Sequence, residues 1–213
     1  MTIAPCLPRN RANRQRVIAR TLAQIPDAAT MAARIDACLA SATDSERADG
    51  ALWYGSAKDL AKIVGDGDIA AGAGIIAALS PQCSWDENVA RALSFADGEH
   101  VGATEDGLRK ARRIAAGEDP RAVLGGRKVR SFYRNIGGHA HYVTVDRHAV
   151  AIVYGRALSD REIKILERIG AYTIIAAAYR AAARRHGLAP STLQAITWLA
   201  WRRLKGDADL GDF

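Results

Sequence analysis

Larger apolar side chains recur at three- and four-residue spacing along nearly the whole chain, set among alanines, and strand-like alternation is almost absent. The pattern predicts helices over 14–24, 27–39 and 51–64, the first pair broken at Pro26 and the third presenting Trp53 and Leu60. Residues 69–79 are apolar on every side, which predicts a helix buried all round. Further helices are expected to open at Trp85, Pro120 and Arg127 and to cover 105–116, 147–154, 160–169, 172–186 and 192–204, the last begun by Pro190 and Ser191. The run YVTVD before Arg147 reads as a short extended connector. The expected class is all-α.

The boundaries carry local chemistry. Ser84 and Glu87 have the S-x-x-E spacing of a capping box, which leaves Gln82 in a tight inter-helix turn after Pro81, its side chain directed outward. Asp66 and Asp68 suggest a cation loop, but the later ligands of a calcium-binding loop are missing, so they read as a lead-in to the next helix. Asp119 and Pro120 make a helix start, and Gly125 and Gly126 follow as a hairpin. Trp198 and Trp201, three apart, are expected to share one face and pack inward. Tyr172, Tyr179, Arg180, Arg184 and Arg185 are candidates for a basic surface, and Arg109, Lys110, Arg112 and Arg113 for a solvated face.

Composition narrows the function. With 213 residues and 49% hydrophobic content the chain can bury the core of one domain or of two small lobes. Lys and Arg total 30 against 23 Asp and Glu, a net charge of +7 that favours a polyanionic partner. Cys6, Cys38 and Cys83 are scattered, so neither a disulfide framework nor a zinc or iron–sulfur site is indicated, and no metal or other cofactor is expected. His139 and His141 lack a third ligand and read as loop residues. No apolar run approaches the roughly 20 residues that span a bilayer, and the first residues lack the apolar core of a signal peptide. The expectation is a cytoplasmic protein with no membrane partner; oligomeric state is not legible.

The chemistry concentrates in GGRKVRSFYRNIGGHAHYVTVDRHA, which sets Lys128 at the opening of one helix and Asp146 before the next. Two glycines ahead of a helix leave backbone N–H groups facing outward, where an anion can sit. The order of ALSPQ turn, capped helix, hairpin ending GGRK and YVTVDRHA running into a helix resembles the helix-hairpin-helix DNA glycosylase superfamily that includes endonuclease III. The resemblance implies a two-lobed helical glycosylase-like fold with a modified helix-hairpin-helix. One unit would span 1–213, with an inner lobe over 68–142 and a second lobe from 1–67 and 143–213. It implies DNA as partner, Lys128 as nucleophilic amine and Asp146 as catalytic carboxylate. Gln82 would fill the space left by a flipped nucleotide, and Gly125, Gly126, Arg127, Arg130 and His148 would be further DNA contacts. Read without the resemblance, His148 is a core histidine.

These residue types suit base extrusion and N-glycosidic cleavage, in which a neutral lysine attacks the anomeric carbon and a carboxylate takes a proton or stabilises positive charge on the sugar. The chain departs from the family in having VLGG in place of L-P-G-x-G, a shorter segment between Gln82 and Lys128, and no iron–sulfur cysteines. Two alternatives remain: group exchange on a modified thymine by the same scaffold, and DNA binding without catalysis.

Overall fold

Capping side chains define most helix starts in the computed structural model, which describes residues 11–206. The helices are α1 (Arg11–Leu22), α2 (Ala28–Ala40), α3 (Asp44–Val64), α4 (Ile69–Leu79), α5 (Trp85–Ala96), α6 (Glu105–Ala115), α7 (Pro120–Val123), α8 (Arg127–Ile136), α9 (Arg147–Tyr154), α10 (Asp160–Ile163), α11 (Ala171–Arg185) and α12 (Pro190–Lys205). Among the described residues all regular structure is helical, and no helix is long and apolar enough to cross a membrane. Asp27, Thr43, Asp68, Ser84, Thr104, Asp119 and Asp146 each accept a backbone N–H in the first turn that follows them.

Several boundaries differ from the sequence pattern. Helix α3 begins at Asp44 rather than 51, because Thr43 and Glu46 form a reciprocal capping box, and it runs through Gly50 without a break. Gly50 is there for proximity: a methyl group on it would meet the Ile196 backbone N and Cα at 2.8 Å, so α3 and α12 touch main chain to main chain. Ser84 caps α5, but the Glu87 carboxylate turns to Arg91 instead of closing the box. The helix expected over 160–169 is the single turn α10 followed by a 3-10 turn, Lys164–Glu167.

Apolar residues gather in two clusters. One joins α2, the 143–153 segment, α11 and one side of α12 around Ile35, Ile152, Ile175 and Tyr179. The other joins α3, α4, α6 and α8 around Ile76, Leu79, Ile114, Phe132 and Ile136. Ala57, Ala61 and Val64 of α3 belong to this second cluster, although they precede residue 68. Helix α12 contributes to both: Trp201 is buried in the first and Trp198 in the second, so the two tryptophans expected on one face divide between the clusters. Tyr179 is likewise a core residue rather than a member of a basic surface, Tyr172 packs into the first cluster with 8% of its surface left exposed, and Arg185 is tied to Asp36.

The connector from α8 to α9 runs along the junction. Its residues 142–146 have no strand partner, yet their polar groups are met by side chains. The Tyr172 hydroxyl donates to the Val143 carbonyl (2.9 Å) and accepts from the Val145 N–H (3.1 Å). Asn135, its amide oriented to satisfy both ends, donates to the carbonyls of His139 (3.0 Å) and Tyr142 (3.2 Å) and accepts from the Thr144 hydroxyl (3.1 Å). The Tyr54 hydroxyl, buried and pushed to a high pKa chiefly by desolvation, lies 3.2 Å from Thr144 Oγ1 and 3.1 Å from Gln194 Oε1.

Candidate functional site

Asp146 ends this clamped connector. It is 1% exposed; its Oδ1 accepts the Ala149 N–H at 2.7 Å, capping α9, while its Oδ2 makes no hydrogen bond within the protein. A buried carboxylate oxygen without a donor is costly, of order 1–3 kcal/mol, so its presence needs a reason beyond capping. Tyr54, Tyr172 and Tyr179 all lie within its electrostatic reach, and its negative charge adds to the desolvation that raises their pKa values.

Helix α8 is laid beside the same connector. Asn135 binds Thr144, and Ser131, one turn earlier, neighbours the Tyr172 hydroxyl that holds Val143 and Val145. Lys128 lies a further turn back, at the spacing that puts residues 128, 131 and 135 on one helical face. The face carrying Lys128 is therefore the face along which the chain runs toward Asp146. Lys128 is half-buried, and its charge also reaches Cys83: burial raises that thiol's pKa, and Arg91 and Lys128 act against the rise.

Residues 124–126 join α7 to α8. Gly126 has φ of 69°, a left-handed conformation that disfavours a side chain, and α8 starts without a side-chain cap. Arg130 Nε donates to the Leu124 carbonyl (2.7 Å), closing the turn, and Arg127 donates to the Thr173 hydroxyl (2.8 Å), fixing α8 against α11. Helix α7 is one turn long.

Gln82 sits between α4 and α5 with φ of 61°, exposed, and is one of two non-glycine residues with positive φ among those described, Asp66 being the other. Holding glutamine there costs about 1 kcal/mol. The neighbouring Cys83 is buried, its Sγ 3.5 Å from the carbonyls of both Leu79 and Ser80, which anchors the turn beneath the outward residue.

Behind these groups lies an aromatic cluster that the sequence pattern did not single out. Trp53 packs against Trp85 (4.7 Å between centroids), Phe132 (6.1 Å) and Trp198 (6.1 Å), and Trp85 meets Phe132 edge-on at 6.3 Å. Phe132 follows Lys128 by one turn of α8, and Trp85 opens α5 directly after the Gln82 turn. Asn88, one turn beyond Trp85, is fully buried with neither side-chain atom hydrogen-bonded in the protein. His148, expected as a DNA contact, is buried with its ring edge-on to Trp198 at 6.3 Å.

The structure thus sets Lys128 within electrostatic reach of Cys83, the neighbour of Gln82, and leaves His148 in the core. Among the described residues no three His, Cys, Asp or Glu side chains are grouped to hold a metal; Cys6 lies outside them, and Cys38 and Cys83 are free thiols. No curated protein and no solved structure matches the chain significantly. A family model does, over residues 19–205, and the chain accordingly belongs to the family of unknown function DUF7178.

Proposed function

We propose that the protein acts on a nucleotide extruded from DNA and cleaves its N-glycosidic bond, with Lys128 as the attacking amine and Asp146 as the carboxylate. The observation that carries this reading is Asp146 itself: buried, held by the α9 cap through one oxygen, with the second oxygen bonded to nothing in the protein. It ends a connector that α8 follows on the face bearing Lys128.

In the proposed reaction the neutral Lys128 Nζ attacks the sugar C1′, the bond from C1′ to the base nitrogen breaks, and the base departs with the bonding pair and is protonated. Asp146 takes the proton that the amine loses and stabilises positive charge on the sugar as the bond lengthens. Ring opening then gives an imine between Lys128 and C1′. The attack requires Lys128 in its neutral form. Gln82 projects from its strained turn as the group that occupies the stack while the nucleotide is out. The half-buried Trp53 and Trp85, backed by the buried Phe132, supply apolar ring surface suited to a planar base.

The test is base release from DNA carrying a panel of modified and normal bases. Release by the wild-type protein, lost in Asp146→Asn and Lys128→Ala variants that unfold at the wild-type temperature, is the expected result. Release that survives Asp146→Asn removes the carboxylate from the chemistry.

A further inference from the structure

Four arginines lie along one side of α8 and its neighbour α11 without a carboxylate among them. Arg127, Arg130, Arg134 and Arg180 line a hollow of about 330 Å³ together with Ser131, Thr173 and Tyr142, and none of the four forms an ion pair with a described residue. This is unusual in a chain whose other exposed arginines mostly find acids: Arg113 pairs with Glu118, Arg121 with Asp119, Arg156 with Glu162, Arg185 with Asp36 and Arg203 with Glu46. Three of the four are held by neutral groups. Arg127 donates to Thr173, Arg130 to the Leu124 carbonyl, and the Arg134 guanidinium stacks on the Tyr142 ring, 4.6 Å from its centroid. The positive charge of these three is fixed in place with no acid beside it.

The hollow continues. Arg134 and Tyr142 also line a second one of about 470 Å³, with Tyr133, His139 and Arg121 on its walls; the one acid there, Asp119, is engaged by Arg121. The shared ridge is aromatic. The exposed His141 ring lies 4.2 Å from Tyr142, tilted by 40°, and His139 lies 6.4 Å away edge-on. A basic track interrupted by exposed rings is the surface that an unpaired strand recognises: guanidinium groups take the phosphates, and rings take bases whose faces a duplex would hide. A duplex offers the phosphates but not the base faces.

We propose that these two contiguous hollows form a groove for single-stranded DNA, with Arg127, Arg130, Arg134 and Arg180 on its phosphates and the Tyr142–His141 platform stacked on a base. The groove's lining includes Val143 and Tyr172, which meet in the connector that ends at Asp146. The inference takes its nucleic-acid partner from the proposed function but none of its chemistry.

The experiment is fluorescence anisotropy of the full chain with a labelled mixed-sequence strand of about 16 nucleotides, and with the duplex of the same sequence, over a salt series. The single strand is expected to bind about tenfold or more tightly than the duplex. Arg134→Ala with Arg180→Ala should weaken strand binding about tenfold and flatten the log–log salt slope by roughly 1.4, about 0.7 for each phosphate left without its arginine. Tyr142→Ala with His141→Ala should weaken it about tenfold with the slope unchanged, since stacking releases no counterions. Arg127→Ala, at an exposed position, repeats the charge test without disturbing the Tyr142 stack. Duplex bound as tightly as the strand, or both double variants binding like wild type, overturns the groove. Running both assays on the wild-type protein separates the two proposals: strand binding without base release anywhere in the panel leaves the groove standing and removes the glycosidic reaction.

Discussion

The Tyr172 hydroxyl bridges the extended chain before Asp146, accepting from the Val145 N–H at 3.1 Å while donating to the Val143 carbonyl at 2.9 Å. One phenol from α11 thereby supplies what a neighbouring strand would supply in a sheet, and it sets the height at which Asp146 enters α9. Tyr172→Phe keeps the ring and leaves two buried backbone groups unmet. Stability should fall by about 1–3 kcal/mol, since each orphaned buried group costs about that much before relaxation. At this chain length that lowers the thermal midpoint by roughly 2–4 °C per kcal/mol, measurable by calorimetry. A midpoint equal to wild type would show that the connector holds its shape without the phenol.

Gln82 offers a test in which stability and function move in opposite directions. Its φ of 61° suits glycine, so Gln82→Gly should relieve up to about 1 kcal/mol of backbone strain and raise the midpoint. The same change removes the side chain proposed to fill the vacated stack, so base release from duplex DNA should slow sharply. A variant that is both stabilised and fully active would show that the strained residue has no part in extrusion.

The close packing of α3 on α12 is tested at Gly50. A methyl group there meets the Ile196 main chain at 2.8 Å, and main chain cannot rotate aside. Gly50→Ala should cost about 1–3 kcal/mol, the usual range for overpacking, despite alanine's better helix propensity. Denaturant unfolding that shows no loss would mean that the helices are less closely apposed.

At the far side of the first cluster, the Arg156 side chain and the Ser159 cap hold the Glu162 carboxyl at about 2, below its ordinary 4.5. A group whose folded pKa is depressed contributes stability that is complete above its unfolded pKa and lost as pH falls through its folded one. Wild type should therefore exceed Glu162→Gln in stability above about pH 4.5, and the difference should shrink toward zero as pH approaches 2. A difference that stays constant across that window would remove the ionised carboxylate as its cause.

Helix periodicity and caps revealed the all-α class and most helix ends, because Asp68, Ser84, Asp119 and Asp146 act through neighbours two or three residues away. The sequence pattern misleads where a distant neighbour decides. The pattern opens the third helix at 51, after Gly50, whereas the structure carries the helix through Gly50, where the close approach of Ile196 leaves room for nothing larger. Tyr179 reads as surface beside its arginines, but the core across α11 claims it, and Trp198 and Trp201 divide because α12 runs between two clusters. At the candidate site, the residue types at 82, 128 and 146 were legible from motif order. The unpartnered Asp146 Oδ2, the buried Asn88 and the Trp53–Trp85–Phe132 cluster were not, since each depends on packing between helices far apart in sequence.

The central claim is that Lys128 bonds covalently to a DNA sugar, and reductive trapping measures that bond directly. Borohydride added during incubation with labelled DNA from the base panel reduces the imine to a stable secondary amine. The expected result is one protein–DNA adduct, mapped by mass spectrometry to Lys128, absent in Lys128→Ala and strongly reduced in Asp146→Asn. DNA bound at the same concentrations with no adduct on any substrate, or an adduct that persists in Lys128→Ala, would contradict it.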